Sequence, residues 1–334
     1  MHSIGIVVIG RNEGDRLKKC LLSVIAPGNT VVYVDSGSTD DSVKLAHSLG
    51  VAVVELDLSI PFTAARGRNA GLEYLLHHRP DIEFVQFVDG DCLIVEGWFE
   101  SAVNELINQP QVVVVCGRRR EEFPRYSIYN RLCDVEWNTP IGEADYCGGD
   151  SMMRMDALKQ VGGFNSKLIA GEEPELCIRL RRHGGKIFRI NAEMTRHDAR
   201  ITHFSQWWKR TLRSGYAYAE GVWLHGRSPE LHWVRESLRI WVWGLILPLL
   251  TMITLLPTKG LSLLLLVAAY SYLFYRVYRM TLVKGCDRQT AMFYALFCII
   301  DKYPMVQGQI KFHLLRLLKR QSTIVEYKGV FSGS

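Results

Sequence analysis

The sequence predicts an α/β fold: a Rossmann-like, mainly parallel sheet in the first part of the chain, then a helical membrane-associated region. Short β-branched apolar runs alternate with helical stretches from residue 1 to about 120, the pattern of successive βαβ units. Three of these runs end in polar steps, Asn12-Glu13, Asp35-Ser36-Gly37-Ser38 and Asp89-Gly90-Asp91, and open parallel sheets bind ligands outside the carboxyl ends of their strands. Two almost purely apolar segments follow in the last third.

The elements read in order as a strand at Ile4–Ile9, a helix at Arg16–Val24, a strand at Thr30–Val34 and a helix at Asp40–Ser48. Val51–Glu55 is a further strand, Arg66–His77 a helix, Phe84–Val88 a strand, Trp98–Ile107 a helix and Val112–Cys116 a strand. A helix ending at Arg182 and a short strand at Lys186–Asn191 follow. Ile4–Ile9 has no positive region before it and no small-residue cleavage site after it, so it reads as a first buried strand and not as a signal peptide.

With 334 residues, 48% of them apolar, the chain can hold a large domain and a smaller one. We place them at 1–225 and 226–334. The net charge of +6 is modest for this length and does not call for nucleic acid. The eight cysteines show no Cys-x-x-Cys pair and read as reduced thiols facing the cytosol.

Ile240–Leu256 and Leu261–Tyr275 are separated only by Pro257-Thr258-Lys259-Gly260, which predicts a hairpin over about 240–275. Each is slightly short of the roughly 20 residues of a span, but extra residues on either side can lengthen it. Trp241, Trp243, Tyr270, Tyr272 and Tyr275 suit the membrane interfaces. A buried hairpin of a soluble domain is the competing reading. The connector carries only Lys259, whereas Arg276, Arg279, Lys284 and Arg288 follow the second segment, so both ends of the hairpin, and the catalytic domain, are expected on the cytoplasmic face. Ala291–Ile300 is too short to span. Lys311–Arg320 mixes apolar and basic residues like an interfacial helix, or an ordinary surface helix, giving interfacial elements over about 290–320.

The chemistry starts at Asp89-Gly90-Asp91. Residues two apart on an extended chain face the same way, so the two carboxylates can meet one divalent cation if the extension persists through Gly90. An acidic turn is the bland alternative for an isolated step. Asp35-Ser36-Gly37-Ser38-Thr39-Asp40 adds a polar strand end, a glycine turn and a capped helix start.

Together these motifs resemble those of family 2 glycosyltransferases with the GT-A fold, and later stretches extend the resemblance over about residues 1–215. It implies that Asp35 contacts the nucleotide base, that Asn12 and Glu13 serve the nucleoside, and that Asp89 and Asp91 lie near ribose and metal. Arg66-Gly67-Arg68-Asn69-Ala70-Gly71 is similar to the family's arginine-bearing stretch, with Arg68 or Arg66 beside the diphosphate, where a guanidinium fork suits phosphate oxygens. Tyr146-Cys147-Gly148-Gly149-Asp150-Ser151 and Val161-Gly162-Gly163-Phe164-Asn165 resemble the segment near the acceptor, which makes Asp150 an acceptor-side residue.

Gly171-Glu172-Glu173-Pro174 stands where most members have Gly-Glu-Asp with the aspartate as general base. The resemblance therefore gives that role to Glu173, one methylene longer, with Glu172 as runner-up. Pro174 is expected to hold Glu173 extended on the loop side of the helix start. His197, in Arg196-His197-Asp198, is the third candidate metal ligand. Trp207 and Trp208 either stack on a sugar or meet lipid, and Arg210 either touches a lipid-linked phosphate or is surface charge.

The implied activity is inverting transfer of a sugar to a hydroxyl acceptor, lipid-linked or a growing cell-surface glycan, as in polysaccharide biosynthesis. The donor is a nucleotide-diphosphate sugar, a UDP-sugar in the first place, and the cofactor is Mg²⁺ or Mn²⁺. Its rivals are a nucleotidyltransferase and an inactive membrane adaptor on the same fold.

Overall fold

The computed structural model describes residues 3–227 and 229–320. The last part of the expected second domain, 321–334, lies outside them, as do residues 1–2 and 228. In chain order the elements are β1 (Ile4–Gly10), α1 (Asp15–Val24), β2 (Asn29–Asp35), α2 (Ser42–Ser48), β3 (Ala52–Glu55) and α3 (Ala64–His78). Then come β4 (Phe84–Asp89), β5 (Cys92–Ile94), α4 (Trp98–Asn108), β6 (Val112–Glu121), α5 (Ile128–Glu136) and β7 (Gly142–Glu143). They are followed by β8 (Ser151–Arg154), α6 (Met155–Val161), α7 (Glu172–Arg182), β9 (Lys186–His197) and α8 (Phe204–His225). α9 (Val234–Trp241), a π-helical turn (Val242–Ile246), α10 (Leu247–Thr254), α11 (Leu261–Val283), α12 (Arg288–Ile300) and α13 (Lys302–Leu317) complete the described chain.

These elements form two compact units. Among the described residues, one takes in the chain up to Glu122 and Trp137–Ala199; the other takes in Phe123–Glu136 and the chain from Arg200 to 320.

The first unit is built on one sheet of order β3-β2-β1-β4-β8-β6-β9-β5, with β7 pairing β9. β1 pairs in parallel with β2 and β4, β2 with β3, and β6 with β9. Six of the seven residues of β1 are buried, as befits a parallel strand covered on both faces. α1 buries Leu17, Cys20, Leu21 and Val24, an i, i+3, i+4, i+7 stripe against the sheet. β5, β7 and β8 answer to no strand read from the sequence. β8 inserts antiparallel between β4 and β6, so the sheet is mixed, though mostly parallel. β9 and β6 both run beyond the expected strands, and two shifts in their register, after Cys116 and Arg118, accompany the extension.

In the second unit, α9, the π turn and α10 form one continuous apolar helix. The π turn lies just ahead of Pro248, which has no N–H to offer the Gly244 carbonyl, so the hydrogen-bond ladder slips there. Val234–Thr254 (21 residues, mean hydropathy 1.6) and Leu261–Val283 (23 residues, 1.5) are long and apolar enough to cross a membrane. Both are longer than the expected segments: the first starts at Val234, ahead of Ile240, but ends at Thr254, short of Leu256, and the second runs on past Tyr275 to Val283. α13 begins at Lys302, nine residues ahead of the expected helix, and lies along α8. A Cβ on Gly308 would sit 2.1 Å from the Leu212 carbonyl oxygen, so only glycine permits that approach.

Candidate active site

β1, β2 and β4 end side by side, which brings the polar steps together: Gly10 is in register with Asp35, and Ile9 with Asp89. Asn12 takes a left-handed conformation, φ 55°, which asparagine tolerates. Its amide donates to Ser38 Oγ (2.9 Å) and its Oδ1 accepts from the Thr39 amide (2.7 Å), pinning the loop after β2. Asp35 is buried and accepts from Tyr33 Oη (2.7 Å), Ser38 Oγ (2.5 Å) and the amides of Gly37 (2.9 Å) and Ser38 (2.7 Å). Glu13 pairs with Arg16 at 2.5 Å. Arg66 closes the 57–61 loop through the carbonyls of Asp57, Ile60 and Pro61.

Strand geometry does not persist through the Asp-x-Asp step. β4 ends at Asp89, and Gly90-Asp91 is a turn whose Gly90 amide donates to the Ile9 carbonyl (2.8 Å). The two carboxylates consequently fall in different clusters, Asp91 with Cys92 and His197, and Asp89 with Cys92 and Asp150, each with ligand atoms within 4.8 Å. Asp91 Oδ2 lies 3.0 Å from His197 Nε2. Burial, then the Arg119 charge, lowers the His197 pKa to about 4, so the imidazole is neutral and able to ligate. Its Nδ1 is buried without a hydrogen-bond partner. Carboxylate and imidazole donors suit Mn²⁺ or Mg²⁺, whereas burial drives the Cys92 thiol far above its usual pKa.

Arg68 ties the distant motifs into one site. It is buried, and its guanidinium reaches Glu172 Oε1 at 2.6 Å and Asp89 Oδ1 at 2.9 Å. α3 carries Arg68, and its start is capped by the Thr63 side chain, which accepts from the Arg66 amide. Asp150, fully buried, accepts from the Asp89 amide (3.1 Å) and Thr195 Oγ1 (2.8 Å) and pairs with Arg119 at 2.6 Å. The backbone packs tightly here: a Cβ on Gly149 would lie 3.0 Å from Arg68 Nη2 and 3.2 Å from Asp89 Oδ2. Arg119 and Thr195 were not singled out in the sequence. The Arg118-Arg119-Arg120 run after a predicted strand was the available signal.

α7 begins at Glu172, with Gly171 in the left-handed region ahead of it. Glu173 is therefore in the first helical turn and not extended before it. Pro174 is compatible with that turn because the N–H it lacks would have no intrahelical acceptor. Glu173 Oε1 is buried and accepts from the Cys147 amide (2.6 Å), Cys147 Sγ (2.9 Å) and Cys177 Sγ (3.0 Å). Burial raises the Glu173 pKa, and the hydrogen bonds oppose the rise. Burial also pushes the Cys177 thiol up to about 12, so it serves as a donor. Cys147 and Cys177 are thirty positions apart, a spacing that carries no motif.

The remaining sequence candidates lie in the second unit and have partners there. Trp207 is buried, with Phe297 edge-on at 4.8 Å and Phe204 stacked at 5.4 Å. Trp208 Nε1 donates to Gln307 Oε1 at 3.0 Å, and Arg210 pairs with Glu136 at 2.8 Å.

Known proteins resemble this chain in sequence and in fold. Residues 5–162 match the family model described as glycosyl transferase family 2, and residues 133–204 one described as the N-terminal domain of galactosyltransferase. A pre-mycofactocin glycosyltransferase of Mycobacterium tuberculosis is 26% identical over 224 residues, covering 62% of this chain and 44% of that protein. The chain thus spans less than half the length of this curated relative. Among solved structures, a mannosyltransferase from Pyrobaculum calidifontis in complex with GDP-Man and Mn²⁺ aligns over 93% of this chain and 86% of its own, with TM-score 0.60 and 17% identity. Residues 1–349 of TarS from S. aureus align over 92% and 91%, with TM-score 0.50 and 14% identity. Residues 5–162 carry a glycosyl transferase family 2 domain, and the chain has a GT-A-like fold.

Proposed function

We propose that this glycosyltransferase is metal-dependent, inverts the anomeric centre, and transfers a sugar from a nucleotide-diphosphate donor to a lipid-linked or glycan hydroxyl at a membrane. The observation that carries the reading is the Arg68 bridge, which joins Asp89 to the first carboxylate of α7 and so assembles donor-side and base-side motifs at one place. Asp91 and His197 are the residues to hold Mg²⁺ or Mn²⁺; Asp89, which falls in the neighbouring cluster and pairs with Arg68, would have to turn from that partner to join them. Bound there, the ion would offset charge on the departing diphosphate. A UDP-sugar remains our first donor candidate. The mannosyltransferase neighbour holds GDP-Man and Mn²⁺, which supports a nucleotide-sugar donor but not the uridine base.

Glu173 is the general base. Its pKa is raised by burial, so it has proton affinity to take a hydroxyl proton as that oxygen attacks the anomeric carbon opposite the diphosphate. Glu172, held by Arg68, is the alternative. Asp35, Asn12 and Glu13 line the nucleoside end, with Arg66 and Arg68 toward the diphosphate. Asp150, expected on the acceptor side, accepts from the Asp89 amide and pairs with Arg119, so we assign it to holding the end of β4, and Trp207, Trp208 and Arg210 remain candidates for the acceptor. The apolar helices 234–254 and 261–283 form the membrane hairpin, with the catalytic domain on the cytoplasmic face.

The test is metal-dependent release of nucleoside diphosphate from a panel of sugar nucleotides. Release of pyrophosphate from a nucleoside triphosphate would favour nucleotidyl transfer. No turnover with any donor and acceptor would favour the adaptor.

A further inference from the structure

A cavity of about 550 Å³ lies wholly within the second unit, walled by α5, α8, α9 and its π turn, and α11–α13. Its chemistry is divided. One part is aromatic and apolar, including Trp207, Trp243, Tyr272 and Phe297; the other carries Arg210, Arg239, Arg276 and Lys302 against Glu136, Glu236 and Asp301, a basic excess of one. Arg210 and Lys302 are already matched, by Glu136 and Asp301 at 2.8 Å each. Arg239 and Arg276 have no ion-pair partner among the described residues, and both are solvent-exposed as well as lining the cavity, which puts them where it opens.

Their position in the fold is informative. Arg239 lies near the start of the first apolar helix and Arg276 near the end of the second. In an antiparallel hairpin those are the same end, opposite the Pro257–Gly260 connector. Two unmatched guanidiniums beside an apolar wall, at the basic end of a membrane hairpin, suit an anion attached to an apolar chain. Arginine forks match phosphate oxygens, and the aromatic wall suits the adjoining chain.

We infer that this cavity binds the phosphate group of a lipid, with Arg239 and Arg276 as its principal ligands. The inference rests on the reading of the two apolar helices as membrane-associated. Two sources share the chemistry, an anionic phospholipid and a prenyl phosphate serving as acceptor.

The test uses the full chain in neutral detergent and native mass spectrometry, with farnesyl phosphate, phosphatidylglycerol, farnesol and inorganic phosphate as probes. Expected is binding of one or both phosphate-bearing lipids, no binding of farnesol, and weakening by about tenfold or more in Arg239→Ala/Arg276→Ala. Arg239→Lys/Arg276→Lys keeps the charge and guards against misfolding; it should retain more affinity than the alanine pair. Preference for farnesyl phosphate together with stimulated donor turnover identifies an acceptor. Preference for phosphatidylglycerol identifies a resident membrane lipid. Farnesol binding as well as its phosphate, inorganic phosphate competing at equal concentration, or an unchanged alanine variant would each overturn the inference. Donor binding, measured separately by calorimetry, keeps its failure distinct: a chain that holds lipid phosphate but no sugar nucleotide loses the proposed transfer and keeps this site.

Discussion

The two units treat solvent in opposite ways. The first buries charge: Arg68, Asp91, Asp150, Glu172, Glu173 and His197 are all below a tenth exposed. Each has a named hydrogen-bond or ion-pair partner, the condition on which buried polar groups are tolerated. The second exposes apolar surface. α10 has no buried residue, and α11 has only Leu273, Val277 and Thr281, while Leu264 and Leu265 are 67% and 64% exposed. An exposed apolar patch of that extent marks an interaction surface, with protein or with membrane. Burial is thus allotted by chemistry in the first unit and left to the surroundings in the second.

Removing a group from the buried network is expected to have the largest effect. Glu173→Gln should lower transfer by about 10²–10⁴-fold while donor binding is retained, and Asp91→Ala should abolish metal-dependent turnover in a chain whose circular dichroism is unchanged. Normal transfer by the glutamine variant would move the base to Glu172. Arg68→Met comes next. It strands two carboxylates and should cost about 3–5 kcal/mol in denaturant melts; a change below 1 kcal/mol would mean the bridge is not sustained in solution.

Leu264→Arg/Leu265→Arg probes the opposite unit. On a soluble helix such exposed substitutions fall within about 0.5 kcal/mol, whereas inside a bilayer each costs roughly 2.5–3.5 kcal/mol. We expect the variant to shift from the membrane pellet to the soluble or degraded fraction, and unchanged fractionation would contradict the hairpin. The smallest effect is on pH. Because burial raises the Glu173 pKa, transfer should fail on acidification at a pH above the ordinary carboxylate range, as the base becomes protonated. Cys147→Ala removes a thiol donor to that carboxylate, and so should move this acid limb to higher pH. A shift downward would show that the thiol does not stabilise the ionised form.

Strands β1–β4 were readable because each is a short apolar run bounded by turns, a local signal. The apolar helices were readable for the same reason, although α9 and α11 reach past the runs because flanking polar residues continue a helix at little cost. β8 escaped notice because four residues, Ser151–Arg154, carry no periodicity of their own; they are a strand only because β4 and β6 present edges to them. α5 belongs with the later helices and not with the sheet that surrounds it in sequence, which no local pattern announces.

By itself the sequence determined the α/β alternation, the polar strand ends, the family motifs and the apolar pair of helices, since periodicity and short motifs depend on neighbours along the chain. Only the tertiary structure decided which charges meet. Arg68 finds Glu172 from 104 positions away, the turn at Gly90 sends Asp89 and Asp91 to different partners, and two unremarkable cysteines close on Glu173. Those choices follow from sheet order and helix packing, where the cost of an unpaired buried charge favours arrangements that pair Arg68, Glu172, Asp150 and Arg119.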